Sequence, residues 1–132
     1  MAGKILDSQA LIVFFEGRNG SDQIRNFLLK AEEKDIKLYI CTISMGEFWY
    51  ALAKSNNSQI AEKLIHEIQG MAIEMIDPNY QITNQAYVYK LRYNLPLSAC
   101  FAPAVAKVKK AELIANDRIY APLEGEIKIF WL

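Results

Sequence analysis

Apolar residues along this chain keep two rhythms, short unbroken runs and longer stretches with one apolar face, and the two alternate. Lys4-Ile5-Leu6 is a short run ending at Asp7, which suits a first, buried parallel strand. Ala10 to Phe15 reads as one or two helical turns, stopped by the polar loop Gly17-Arg18-Asn19-Gly20. Ser21 is a good N-cap, Asp22 is placed to meet the positive end of the next helix, and Ile24, Phe27, Leu28 and Ala31 share one face of it. Lys37 to Thr42 is strand-like. Ser44 then opens a helix to about Lys54, and Ser44 with Glu47 has the spacing of a capping box. After Asn56-Asn57, the positions Ile60, Leu64, Ile65 and Ile68 mark an amphipathic helix closed by Gly70. Ala72 to Ile76 is a further short strand, ended by Asp77-Pro78. Ala86, Tyr87, Tyr89, Lys90 and Leu91 belong to a helix of mixed face, and a helix follows from about Leu97 to Lys110. Leu113-Ile114-Ala115 is a strand running into the turn Asn116-Asp117, and Glu126 to Trp131 is the last strand.

Short apolar strands alternating with helices predict βαβ units. The expected fold is α/β, three layers α/β/α around a mostly parallel sheet, in a single domain over residues 1–132. Ligands of such sheets gather beyond the carboxyl ends of the strands. Asp7 and Asp117 each follow an apolar strand directly, which makes them candidates for a site.

Composition narrows the class. With 52% hydrophobic residues the chain can bury a sizeable core without a disulfide staple. The two cysteines, Cys41 and Cys100, have apolar or small neighbours and read as buried free thiols. No apolar run approaches the roughly 18 residues of a membrane span, and no N-terminal signal is read, because Asp7 interrupts the first run. The expectation is a cytoplasmic protein with no membrane partner. Lys plus Arg and Asp plus Glu both number 15, so bulk charge does not grip nucleic acid. Arg92, Lys107, Lys109, Lys110 and Arg118 crowd the last third, as a phosphate-binding rim or as solvated helix faces.

Each acid also has a structural use. Asp7 suits a helix cap, Glu47 the capping box, and Asp117 after Asn116 an ordinary turn. His66, the only histidine, lies on the polar side of its helix and has no cysteine or histidine cluster around it. No nucleophile elbow or glycine-rich phosphate loop is present. Phe48, Trp49 and Tyr50 read as core or subunit contacts, with base stacking as the functional alternative.

Phosphodiester hydrolysis assisted by hard cations needs several carboxylates that the fold brings together. Four segments carry a resemblance to such a site. They are Ile5-Leu6-Asp7-Ser8-Gln9-Ala10-Leu11, Thr42-Ile43-Ser44-Met45-Gly46-Glu47-Phe48, Tyr93-Asn94-Leu95-Pro96-Leu97-Ser98-Ala99-Cys100-Phe101 and Ala115-Asn116-Asp117-Arg118-Ile119-Tyr120. In order and spacing the chain resembles the PIN-domain ribonucleases, many of them toxins of toxin–antitoxin pairs. The resemblance implies Mg²⁺- or Mn²⁺-dependent cleavage of RNA, with Asp7, Glu47 and Asp117 as metal ligands and catalytic acids. Ser8 matches the small hydroxyl residue after the first acid, Ser98 is a candidate to hold a metal-bound water, and Tyr120 falls where an aromatic is common. It also implies a small antitoxin protein as partner and a homodimer.

The chain departs from the pattern at the third acid, where Ala99 stands, and no other Asp or Glu lies between Asn94 and Lys110. Pro103 in the same predicted helix removes a hydrogen bond to the Ala99 carbonyl. Three readings follow. The first is a ribonuclease using the remaining three acids, with Arg118 or Lys107, Lys109 and Lys110 steering the RNA backbone. The second, favoured by Ala99 and Pro103, is a non-catalytic module binding RNA or a protein partner. The third is an unrelated α/β protein with coincidental acids.

Overall fold

A computed structural model describes residues 3–132. Its elements in chain order are β1 (Gly3–Leu6), α1 (Ser8–Phe15), α2 (Ser21–Glu32), β2 (Lys37–Cys41), α3 (Thr42–Ala53), α4 (Ser58–Gln69), β3 (Glu74–Ile76), α5 (Tyr80–Tyr93), α6 (Phe101–Lys109), β4 (Glu112–Ala115) and β5 (Ile129–Trp131). Two 3₁₀ segments, Leu97–Cys100 and Arg118–Gly125, lead into α6 and out of β4.

The strands form one sheet in the order β3-β2-β1-β4-β5, and every pairing is parallel. Side chains alternate across it, as the two-residue period of a strand requires. Ile5, Tyr39, Cys41, Leu113 and Ala115 face one core with α5 and α6, whereas Leu6, Leu38, Ile40 and Ile114 face a second core with α1, α2, α3 and α4. Both faces of the three central strands are therefore covered, which is why Ile5-Leu6 and Leu113-Ile114-Ala115 read as unbroken apolar runs. The three-layer α/β/α architecture is the expected one. Among the described residues no helix is long and apolar enough to cross a membrane.

Four local expectations are corrected. The helix predicted from Ser44 begins at Thr42, immediately after β2, and its N-cap is Cys41. Ser44 thus lies inside the first turn, fully buried, and caps nothing. Ser21 is likewise the first residue of α2 rather than its cap; Gly20, with φ 102, holds that place, and a left-handed backbone angle favours glycine. The predicted Leu97–Lys110 helix divides into the 3₁₀ segment and α6. Pro103 consequently falls in the first turn of α6, where a backbone N–H has no partner within the α-helix, so the proline breaks nothing. Ile60 is half exposed, whereas Ile68 is buried as expected, together with Ala61.

Candidate active site at the strand ends

The parallel register sets Leu6 level with Ile40 on one side and with Ile114 on the other. Since β1 is the central strand, Asp7 emerges between the carboxyl ends of β2 and β4. Glu47 stands on α3, which leaves β2 without a loop, and Asp117 stands just beyond β4. Three acids far apart in sequence thereby gather on one edge of the sheet.

Asp7 is buried, 2% exposed, and both carboxylate oxygens are held. Oδ1 accepts from the Ala10 N–H at 2.8 Å, and Oδ2 accepts from the Tyr120 hydroxyl at 2.8 Å. The first bond makes Asp7 the N-cap of α1, so the cap and the candidate ligand are one residue. Burial raises the Asp7 pKa from 3.8 to about 6; the two hydrogen bonds pull it down, and the charges of Glu47 and Asp117 push it up. The Tyr120 phenol is pushed far above its usual range, first by burial and then by the charge of Asp7.

Glu47 is half-buried and lies in the second turn of α3, beyond the reach of a capping role. Its structural alternative falls away with the capping box. Asp117 is half-buried; its Oδ1 accepts from the Ile119 N–H at 3.0 Å and caps the second 3₁₀ segment, so the expected turn is present too. Ser8 is the first residue of α1 and is buried. Ser98 is half-buried in the first 3₁₀ segment, which packs against α3. In that segment Ala99 is 8% exposed within the apolar core and donates its N–H to the Pro96 carbonyl at 3.0 Å. A methyl group thus stands where the resemblance expects a carboxylate.

The basic rim divides. Lys107 and Lys110 line a cavity of about 540 Å³ with Gly3, Lys4 and Glu112, the first residues of β1 and β4. They therefore lie at the amino end of the sheet, away from Asp7, because α6 must finish there before β4 can start. Arg118 alone adjoins Asp117; it is exposed, with its guanidinium 4.5 Å from the Trp131 ring centroid. His66 is exposed, and both cysteines are free and buried, as expected. Phe48 is core, Trp49 Nε1 donates to Glu62 at 2.8 Å, and Tyr50 is mostly exposed.

Whether these residues suit a divalent cation turns on donor chemistry and number. Hard oxygen donors suit Mg²⁺ or Mn²⁺. Among the described residues, however, no three His, Cys, Asp or Glu side chains form a ready-made metal cluster. The donor type fits a hard cation, but among the described residues the acids as they stand do not form even a three-ligand group. The hydroxyl of Tyr120 escaped sequence reasoning, because its partner lies 113 residues away.

Solved structures resemble the whole chain. VapBC2 from Rickettsia felis, bound to a DNA fragment from its promoter, aligns with a TM-score of 0.80 at 14% identity, covering 98% of each chain. VapBC-5 from Mycobacterium tuberculosis, a member of the VapBC family of toxin–antitoxin systems, aligns at 0.66 and 12% identity over 100% of this chain and 98% of that one. Mycobacterium tuberculosis VapC20, a Sarcin-Ricin loop cleaving toxin, aligns at 0.71 and 12% over 90% and 93%. Identities this low establish the fold. No curated protein matches the sequence. The sequence itself matches the PIN domain family model over residues 4–124, nearly its full length, and this excludes the coincidental reading: the chain belongs to the PIN-domain family.

Proposed function

We propose that this protein is a PIN-type endoribonuclease, the toxin of a toxin–antitoxin pair, with Mg²⁺ or Mn²⁺ held by Asp7, Glu47 and Asp117. One observation carries the reading. Asp7 is buried where three strand ends meet, with the charges of two further carboxylates, Glu47 and Asp117, acting on it. A divalent cation, when bound, lowers the pKa of a water and neutralises charge developing on the phosphate. Asp7 supplies a fixed ligand, because both its oxygens are already oriented by donors. Glu47 and Asp117, being partly exposed, face the solvent from which RNA arrives. Arg118 is the basic residue placed to meet the RNA backbone; Lys107 and Lys110 are at the wrong end of the sheet. The reading places the protein in the cytoplasm.

The likeness to VapBC assemblies supports a small antitoxin as partner. An exposed stripe on α5, formed by Tyr80, Tyr87 and Leu91, supports a protein contact and, in this reading, a homodimer. Buried Ala99 favours a second reading, a PIN scaffold that binds RNA or protein without cutting. One experiment separates the two: cleavage of a mixed single-stranded RNA pool with Mn²⁺, comparing wild type, Asp7→Asn, Ala99→Asp and an EDTA control. Wild-type cleavage lost with EDTA and with Asp7→Asn is the expected result. A silent wild type rescued by Ala99→Asp marks a PIN scaffold disarmed at one ligand and favours the binding reading instead.

A further inference from the structure

We propose that Tyr120 is the positioning residue of the cation site, fixing the Asp7 carboxylate through its hydroxyl; the assignment rests on the cation site proposed above. Tyr120 is 4% exposed and its hydroxyl donates to Asp7 Oδ2 at 2.8 Å, a contact between residues 113 positions apart in sequence. The segment that presents it is built by Asp117. Asp117 Oδ1 accepts from the Ile119 N–H at 3.0 Å, and the Asp117 carbonyl accepts from the Tyr120 N–H at 3.3 Å. One chain of bonds therefore runs from the acid after β4, through a 3₁₀ turn, to the acid after β1.

The bond does two things. With the Ala10 N–H on Oδ1, it removes rotation of the Asp7 carboxylate, leaving each oxygen one lone pair for a ligand. It also ties Asp7 to the turn that carries Asp117, so their separation is set by covalent geometry and one hydrogen bond. Orientation weighs more here than in a four-acid site, because Ala99 removes a ligand that would otherwise share the work. Groups that orient a ligand typically cost 10–100-fold in metal affinity when removed. A phenylalanine fills the same space without the hydroxyl.

The test is Mn²⁺ binding, read from the electron paramagnetic resonance of the free ion, for wild type, Tyr120→Phe, Asp7→Asn and the double variant. The expected result is Mn²⁺ binding by the wild type, about tenfold weaker binding by Tyr120→Phe, and no effect of Tyr120→Phe once Asp7 is Asn. Mn²⁺ binding by Tyr120→Phe as tight as wild type or tighter, with Asp7→Asn impaired, overturns the role of Tyr120 and leaves the cation site standing. A wild type that binds no Mn²⁺ overturns both. If Tyr120→Phe fails to fold, the wild type decides by NMR: slow exchange of the Tyr120 hydroxyl proton with Mg²⁺ present supports the bond, and fast exchange overturns it.

Discussion

Asp7→Asn should make the metal-free protein more stable while removing its cation site. Asp7 loses water on folding and gains two hydrogen bonds, yet its pKa rises from 3.8 to about 6, so burial and like charge win. A raised carboxyl pKa means that the folded state holds its proton longer than the unfolded chain. The stability contributed by the protonated form is complete below pH 3.8 and is lost as pH rises to about 6. A shift of roughly two units corresponds to about 3 kcal/mol. Asparagine has the same shape, and its Oδ1 can keep the Ala10 bond. Its amide can donate to the Tyr120 oxygen if the hydroxyl turns round. Weaker neutral bonds return roughly 1 kcal/mol of the gain. The net is about 2 kcal/mol at pH 7.5, or roughly 5–10 °C in Tm for a chain of this length. Thermal unfolding in EDTA at several values between pH 4 and pH 8 measures it. The wild type should lose stability across that range relative to the variant, and Mn²⁺ should restore the wild type alone. An Asn variant less stable than wild type at pH 7.5, or a difference that does not change with pH, would refute the reasoning.

Four further outcomes are expected. Ala99→Asp places a carboxylate at a site only 8% exposed, so it should raise Mn²⁺ affinity about tenfold by calorimetry while lowering the metal-free Tm. Arg118→Ala should weaken binding of single-stranded RNA severalfold and reduce its salt dependence, whereas Lys110→Ala should leave both unchanged in a filter assay. Phe48→Ala empties a position 1% exposed beside the Phe15 ring, and should cost about 3–5 kcal/mol in urea unfolding. Leu91→Glu puts a charge into the α5 stripe and should shift any dimer to monomer by light scattering; an unchanged mass excludes that face.

The apolar rhythm alone determined the fold class. Short runs such as Lys4-Ile5-Leu6 and Leu113-Ile114-Ala115, alternating with amphipathic stretches, suit strands covered on both faces, and an acid directly after such a strand stands at its carboxyl end. Local capping signals were less dependable. Ser44 and Glu47 have capping-box spacing, but α3 starts at Thr42 because the chain turns from β2 straight into helix, and spacing alone does not say where a helix begins. Pro103 looked like a breaker until the division of Leu97–Lys109 into a 3₁₀ turn and α6 placed it in a first turn. Strand order belongs to tertiary structure. With β1 central, Asp7 lies between the ends of β2 and β4, and the same topology sends Lys107 and Lys110 to the opposite end. So does the bond between Tyr120 and Asp7, since contact across 113 residues depends on parallel register and on a turn built by Asp117. Sequence specified which groups carry charge; packing decided which of them meet, because burial and register are properties of the whole sheet.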